Sequence, residues 1–336
     1  MVLPTPNARW PALVGAACGL LSLSFVGCGP MDGASPAPSA AAAAATGPAH
    51  LTVMTLNAEF LWDGIAPEDG DIDFEGKGDP ERADAHMAAV ADIIRRSDPD
   101  LVNLVEVEGP DALDRFNRGF LEDAGYLAYL VEGTDTATGQ DVGLLSRFPV
   151  DSIGRDPRKG RSGRARKGVS KHYMATLDVG GLRLGLVGLH LLARPDSKSR
   201  RGPREAQADA IARMAAELAA QGREVIVWGD FNDYDGAVPD AGDNRPISGV
   251  MQRIRAADPS DPSDDLVNAS AHLPQRDRVT HRMRSKPALD HVLVSSRLGE
   301  RIEWVRIPRD HDPQRVTAHY PVVVRFRLDG PGDPQR

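Results

Sequence analysis

The sequence predicts an α/β fold in which helices cover sheet faces, and three observations carry this. Short apolar, β-branched runs alternate with stretches of helical spacing, and this strand-helix-strand order occurs twice. Between the two occurrences lie apolar runs that read as hairpin-like pieces, one pair joined by Gly180-Gly181. The chain's 336 residues are 41% hydrophobic and 26% charged, enough to bury a sizeable core in one large unit. Collagen, coiled coil and polytopic membrane protein are excluded by this composition. A net charge of −8 at pH 7 excludes a protein that coats polyanions with its whole surface, so any nucleic-acid contact must be local. Both cysteines, Cys18 and Cys28, precede the folded part, which leaves it no disulfide framework, thiolate metal site or thiol chemistry.

Residues 1–28 read as an export signal. Arg9 supplies the positive start, and the apolar run from Leu13 to Val26 has the length of a signal core but is short for a membrane span. Its end, Ser24-Phe25-Val26-Gly27-Cys28, resembles the bacterial lipobox, with Phe25 where Leu is usual. The expectation is a cell-envelope lipoprotein anchored through Cys28, periplasmic or at the cell surface; the alternative is ordinary secretion. Residues 29–48 form a linker of Gly, Pro, Ser and a six-alanine tract that cannot bury a core. A catalytic domain is expected over 49–330, with a tail at 331–336.

Leu51 to Leu56 is the first strand and delivers Asn57 and Glu59 at its end. Asp79 caps a helix with Pro80 at its first position, and Met87, Val90, Ala91 and Ile94 follow helical spacing until Ser97-Asp98-Pro99 stops it. Leu101 to Val105 is the next strand, ending on Glu106. Val142 to Leu145, His172 to Asp178 and Leu182 to His190 read as hairpin strands. Pro203 opens a helix whose Ile211, Met214, Ala215 and Leu218 form one stripe, and Gly222 closes it. Val225 to Trp228 is a buried strand running into Gly229-Asp230-Phe231-Asn232. Ala288 to Ser295 and Pro321 to Leu328 complete the strands, and no repeat of fixed period is visible.

These strands end on the same kinds of residue: Asn57 with Glu59, Glu106, His190, Asp230 with Asn232, Asp290 and His319. Strand ends far apart in sequence converge on one sheet edge, where α/β proteins keep their sites. Asn, Asp and Glu offer hard oxygens for Mg2+ or Mn2+, and His adds a proton-transfer group near neutral pH. Together they suit metal-assisted attack on a phosphate. Taken singly, an Asp or Asn after a strand is most often a turn residue or a helix cap, and a strand-end histidine is more often structural than catalytic.

At this point the chain resembles the endonuclease/exonuclease/phosphatase superfamily. The resemblance spans Leu51 to Phe326. Its most specific part is the apolar strand Val225-Ile226-Val227-Trp228 followed by Gly229-Asp230-Phe231-Asn232. Thr55-Leu56-Asn57, Leu104-Val105-Glu106-Val107, Gly143 to Pro149, Gly188-Leu189-His190-Leu191, Leu289-Asp290-His291 and His319-Tyr320-Pro321 support it in the family's order. The resemblance implies a deoxyribonuclease-like four-layer architecture, a two-sheet β-sandwich core flanked by helices. It implies Glu106 as the principal metal ligand with Asn57 and Glu59 beside it, and Asp230 orienting or deprotonating the attacking water. Asn232 would hold a phosphate oxygen, His190 would stabilise charge on the phosphorane, and His319 paired with Asp290 would complete the proton-transfer machinery. A phosphodiester is an anion, so the attack needs the local positive charge that Mg2+ and protonated histidine provide.

The last motif departs from the family's usual Ser-Asp-His: it reads Thr317-Ala318-His319, without the carboxylate expected near the metal. Either Asp310 or Asp312 folds back to replace it, or Arg309-Asp310-His311 is itself the motif with His311 catalytic, or activity is slowed. His319 is favoured because Pro321-Val322-Val323-Val324 supplies the strand that should follow.

Arg155 to Lys171 holds eight basic residues against Asp156, and Arg194 to Arg204 holds five against Asp196. The first reads as a solvated loop or as a clamp on a phosphate backbone. Arg164, Arg166, Lys167, Arg194 and Arg204 are the expected substrate contacts. Asp69, Asp71 and Asp73 superficially resemble a calcium loop, but Phe74 stands where Gly is required, so an acidic solvated loop is favoured over a structural Ca2+ site. The sequence thus points to an exported Mg2+-dependent phosphodiesterase, a nuclease on DNA or RNA. Hydrolysis of phospholipid or phosphoinositide head groups and a catalytically impaired surface binding module are the alternatives. Membrane contact is expected through the lipid anchor alone, and no protein partner is inferred.

Overall fold

In the computed structural model, residues 48–65, 76–256 and 265–328 are described. The expected export signal with Cys28, all but the end of the linker, the segment of Asp69, Asp71 and Asp73, and the tail lie outside the described residues. In chain order the elements are β1 (His50–Leu61), α1 (Pro80–Ser97), β2 (Leu101–Val107), α2 (Pro110–Phe120), β3 (Leu127–Leu130), β4 (Asp141–Ser146), β5 (Val150–Gly154), β6 (Gly160–Ser162), β7 (Ala165–Lys167), β8 (Lys171–Val179), β9 (Leu182–His190), α3 (Lys198–Ala220), β10 (Glu224–Asp230), α4 (Val250–Arg255), β11 (Val267–Asn268), β12 (Asp290–Val294), α5 (Ser296–Gly299), β13 (Ile302–Arg306) and β14 (Val322–Arg327).

The strands form two six-stranded sheets, ordered β13-β14-β1-β2-β4-β3 and β11-β12-β10-β9-β8-β5, with β6 and β7 as a separate hairpin. Three apolar clusters explain how the layers hold together. Leu51, Val53 and Leu101 of the first sheet meet Leu184, Ile226, Trp228 and Val292 of the second in the central one. Leu56 and Leu104 pack on the outer side against Met87, Val90 and Ile94 of α1 and Phe116 of α2. Val187 and Val227 pack against Ile211, Met214 and Leu218 of α3 and Ile254 of α4. The order of layers is therefore helix, sheet, sheet, helix, the expected four-layer sandwich. Burying a large aliphatic side chain contributes roughly 1.5–3 kcal/mol, so these clusters dominate the stability. The one polar pair of the largest central side chains is satisfied internally: Trp228 Nε1 donates to the Tyr173 hydroxyl at 3.1 Å.

Helix α1 starts as its sequence dictates. The Asp79 carboxylate accepts from the Glu81 and Arg82 amides at 3.1 and 3.2 Å, a cap that contributes about 1 kcal/mol. Asp98 closes it in the left-handed region, φ 43°. Helix α3 differs from expectation. It begins at Lys198, and Pro203 lies inside it. Pro203 forfeits one intrahelical bond, while Arg201 to Glu205 at 2.9 Å and Arg200 to the Ala193 carbonyl at 3.2 Å brace the turn before it. Val142 to Leu145 also finds a different partner: as β4 it lies between β2 and β3 in the first sheet. The β8–β9 hairpin turns through Gly180 and Gly181, φ 60° and 94°, angles that favour glycine at both places. Among the described residues no helix is long and apolar enough to cross a membrane.

Candidate active site

Strand direction brings the chemistry to one edge. β1 and β2 are parallel, as are β9 and β10, and each ends on a candidate residue or beside one. β12 and β14 run antiparallel to β10 and β1, so Asp290 starts β12 opposite Asp230, and His319 precedes β14 near the end of β1. Asp230 also stands beside His190 in register. The backbone is bent where the side chains turn inward. Register shifts interrupt the β1–β2 ladder after Asn57 and the β2–β4 ladder after Val105, and Glu59, Glu106 and Asn232 have φ of 50°, 66° and 48°. Left-handed backbone at a non-glycine residue costs about 1 kcal/mol or more and persists where surroundings enforce it.

The side chains gather across both sheets, with hydrogen bonds linking Glu106, Asn57 and Asp230 and a separate one pairing Asp290 with His319. Asn57 Nδ2 donates to Glu106 Oε1 at 3.1 Å and to Asp230 Oδ2 at 3.2 Å. Its Oδ1 accepts from the Glu59 amide at 3.0 Å. His190 Nε2 lies 3.6 Å from Asp230 Oδ2 and 3.9 Å from Glu106 Oε1. His319 Nδ1 meets Asp290 Oδ2 at 2.9 Å, both buried. The Asn232 amide caps Asp230 Oδ1 at 2.8 Å, and Asn232 Nδ2 donates to the Leu191 carbonyl at 3.2 Å. Three residues not foreseen from the sequence join them. Gln140 Nε2 donates to Glu106 Oε2 at 2.8 Å, Thr280 Oγ1 accepts from the Asp290 amide at 3.0 Å, and the His281 ring stands edge-on to His319, centroids 4.6 Å apart. Their signal was position alone: Gln140 just precedes β4 and Thr280-His281 lies in a loop.

Several expectations are corrected. Neither Asp310 nor Asp312 replaces the missing carboxylate: Asp310 pairs with Arg96 at 3.2 Å and Asp312 caps the Gln314 amide. His311 Nε2 donates to the Thr317 carbonyl at 3.0 Å rather than pairing with Asp290. The carboxylate at Ala318 is that of Glu59, whose Oε2 accepts from the Ala318 amide at 2.6 Å. Glu59 and Asn57 are thus engaged with backbone amides, whereas the Glu106 carboxylate is held by the side-chain amides of Asn57 and Gln140. Arg204 is not a substrate contact. It is fully buried, donates to the Asn232 and Pro195 carbonyls and pairs with Asp233 at 3.3 Å. A helix face pointing inward explains this, since a buried guanidinium needs such partners. Arg164, Arg166, Lys167 and Arg194 are exposed, the first three on the β6–β7 hairpin.

The sequence model of the Endonuclease/Exonuclease/phosphatase family matches residues 54–319, a span that runs from β1 to His319. The chain belongs to this family. As a member of the Endonuclease/Exonuclease/phosphatase family it is a hydrolase of phosphate ester bonds. Solved structures share the fold. Truncated TDP2 from Caenorhabditis elegans aligns with TM-score 0.52 at 18% identity, covering 83% of this chain and 97% of that one. The 3'-5' exonuclease NExo from Neisseria meningitidis aligns with TM-score 0.56 at 16% identity, covering 82% and 100%. A mannosyl-6-phosphatase from Bacteroides thetaiotaomicron aligns with TM-score 0.53 at 15% identity, covering 82% and 98%. A comparison with curated protein sequences finds no match.

Electrostatics divides the labour within this family site. Burial alone would lower the proton affinity of His319, but Asp290, Asp230 and Glu106 raise it to about 10, so the ring is a cation at neutral pH. Burial, then the charge of Asp290, raises Asp230 to about 7. Burial, then Lys171 and His319, hold His190 well below its ordinary value, so its ring is neutral at pH 7. Asp230, Asp290 and His319 each offer a ligand-type atom, and these lie within 4.8 Å of one another. The proton of His319 already offsets charge there. Glu106 forms no ion pair with Lys or Arg among the described residues, its charged-type neighbour being neutral His190. The Glu106 carboxylate and the Asp290 Oδ1, which has no hydrogen-bond partner, are hard oxygens that fit a hard divalent ion.

Proposed function

We propose that this chain is an exported, divalent-metal-dependent phosphodiesterase whose substrate is a nucleic acid. The observation that carries the chemistry is the buried Asp290–His319 pair at 2.9 Å, set against Asp230 and joined through Asn57 to Glu106. A base, a cation and a metal-type carboxylate thus stand on one sheet edge, as attack on a phosphate requires. Glu106 is the residue that would hold the ion, Mg2+ or Mn2+, with Asp230 reached by the same Asn57 amide. When bound, the ion would neutralise phosphate charge and acidify water. Asp230, with a proton affinity near neutrality, orients and deprotonates the attacking water. The His319 cation, held in orientation by Asp290, stabilises negative charge on the phosphorane. Asn232 has a second amide proton for a phosphate oxygen, and neutral His190 donates a hydrogen bond without charge.

Nucleic acid is favoured over a small phosphate ester by the exposed Arg164, Arg166, Lys167 and Arg194 on the segments flanking this edge. NExo has also been solved as a 3' phosphatase bound to a product DNA hairpin, which supports the reading by analogy of fold. The mannosyl-6-phosphatase favours a second reading, hydrolysis of a sugar phosphate monoester. The assembled Asp230, Asp290 and His319 argue against an impaired binding module. Export and lipid attachment at Cys28 belong to the proposal and are supported by residues 1–28 alone.

The test uses the full chain on supercoiled DNA, RNA, bis-p-nitrophenyl phosphate and mannose 6-phosphate, each with Mg2+, Mn2+ or EDTA. Turnover of a diester and of DNA or RNA, abolished by EDTA and by Asp230→Asn, is expected. Turnover of the sugar phosphate alone would replace the reading with the second one, and no EDTA-sensitive turnover would end it. Cys28→Ser should move the protein from the membrane to the soluble envelope fraction; unchanged fractionation would remove the anchor.

A further inference from the structure

A second cationic feature lies outside the catalytic edge. Between the β6–β7 hairpin and α3 is a cleft of about 730 Å3 lined by Pro157, Arg158, Lys159, Arg166 and Arg213. Two of these guanidinium groups are held in place. Arg158 Nε bonds both oxygens of Asp156 at 2.8 and 3.0 Å, and Arg158 Nη2 bonds both oxygens of Glu217 at 2.7 Å. Arg213 Nη2 lies 3.4 Å from Asp156 Oδ2 and from the Arg158 carbonyl, while its buried Nε has no hydrogen-bond partner. Asp156 is itself buried and tied to the backbone, its amide donating to His172 Nε2 at 3.0 Å and its Oδ1 accepting from the Arg158 amide at 2.8 Å.

Four cations therefore face two acids, and the other two, Lys159 and Arg166, form no ion pair among the described residues. Guanidinium groups already immobilised by Asp156 and Glu217 lose little further freedom on binding an anion. The hairpin itself is fixed to α3: the Arg161 amide donates to Asp209 at 2.9 Å and the Ser162 hydroxyl to Glu205 at 2.7 Å. β5, which leads into this cleft, is two strands from β9 and His190, a lateral offset of about 10 Å.

We propose that this cleft is an exosite for the phosphodiester backbone of a polynucleotide whose scissile bond lies at the Asp230 edge. The site rests on the reading of the enzyme as a nuclease and deepens it, since it selects a polymer over a small ester. Arg158 and Arg213 supply the preformed floor, and Lys159 and Arg166 close over the backbone from the hairpin.

The experiment measures, on the full chain, the ratio of kcat/KM for single- and double-stranded DNA to that for bis-p-nitrophenyl phosphate, between 0.05 and 0.5 M salt. A general loss of activity cancels in the ratio. Lys159→Ala combined with Arg166→Ala removes two phosphate contacts and should lower the slope of log(ratio) on log[salt] by about 1.4–1.8, a loss on the order of 30-fold at 0.1 M salt. Lys159→Arg with Arg166→Lys keeps the charges and should keep the slope. Arg118→Ala, on α2 of the opposite helix layer, should also leave it. An unchanged slope in the double alanine variant, or an equal change in Arg118→Ala, overturns the exosite while the nuclease reading stands. A parent that hydrolyses the small diester but neither binds nor cuts DNA or RNA overturns both.

Discussion

Asp290→Asn keeps the shape of the side chain, removes its charge, and isolates what the Asp290–His319 pair does. Asp290 Oδ2 lies 2.9 Å from His319 Nδ1 with both side chains buried, and Thr280 holds the Asp290 backbone in place. The His319 affinity of about 10 against an ordinary 6.5 corresponds to roughly 5 kcal/mol in favour of the charged ring. Asp290 heads the acids that raise it, so about 2–3 kcal/mol should vanish with its charge, the size of a hydrogen bond to an ionised group. Because the folded value lies above the unfolded one, this stability is complete below pH 6.5 and is lost as pH rises through 10. Urea unfolding of the protein in EDTA at pH 7.5, 8.5 and 9.5 reads it directly. The parent should lose stability steadily across the series, and Asp290→Asn should begin lower and lose less. In the same variant kcat should fall about 10²–10⁴-fold, the range for a displaced proton-transfer group. Parallel stability curves for parent and variant would refute the pairing as the source of His319's charge.

The other expectations follow from the same electrostatics and from one close approach. Asp230→Asn should abolish turnover yet raise metal-free stability at pH 8 by about 1–3 kcal/mol, because a buried carboxylate lifted to about 7 costs the folded state once ionised; a destabilised variant in urea unfolding would contradict this. Mg2+ should raise Tm more at pH 8 than at pH 5.5, since binding at these carboxylates competes with their protons; equal shifts in a thermal scan would separate the ion from Asp230. Gly229→Ala should destabilise by about 3 kcal/mol or more, for φ is 138° and a Cβ would stand 2.0 Å from the Leu189 carbonyl oxygen; near-parental Tm would show that the strand yields there.

Much of the fold was legible because its elements carry their own punctuation. Asp79-Pro80 opens α1 and Gly222 follows the end of α3 as their capping chemistry requires. Helix α2 was readable and passed over: Pro110 at its first position and Ala112, Leu113 and Phe116 at helical spacing mark it. The start of α3 was hidden, since a proline more often opens a helix than interrupts one. At the site, residue types at strand ends pointed to Glu106, Asp230, Asp290 and His319, and the structure brings these together. Sequence could not show that Glu59 turns to the Ala318 amide, nor that burial keeps His190 neutral, because both depend on which backbone and which charge stand opposite. Arg204 shows the same limit. A basic residue near a candidate histidine looked like a substrate contact, yet the inward face of α3 makes it a clamp on the loop of Asn232.

The Asn57 carboxamide belongs to one sheet and reaches a carboxylate of the other. Catalytic geometry is therefore hostage to the spacing of the sandwich: trimming a methyl group deep between Trp228 and its neighbours would let the two halves drift, and reaction rate would register the movement though every reactive group were intact. In such an enzyme, turnover doubles as a ruler for the interior.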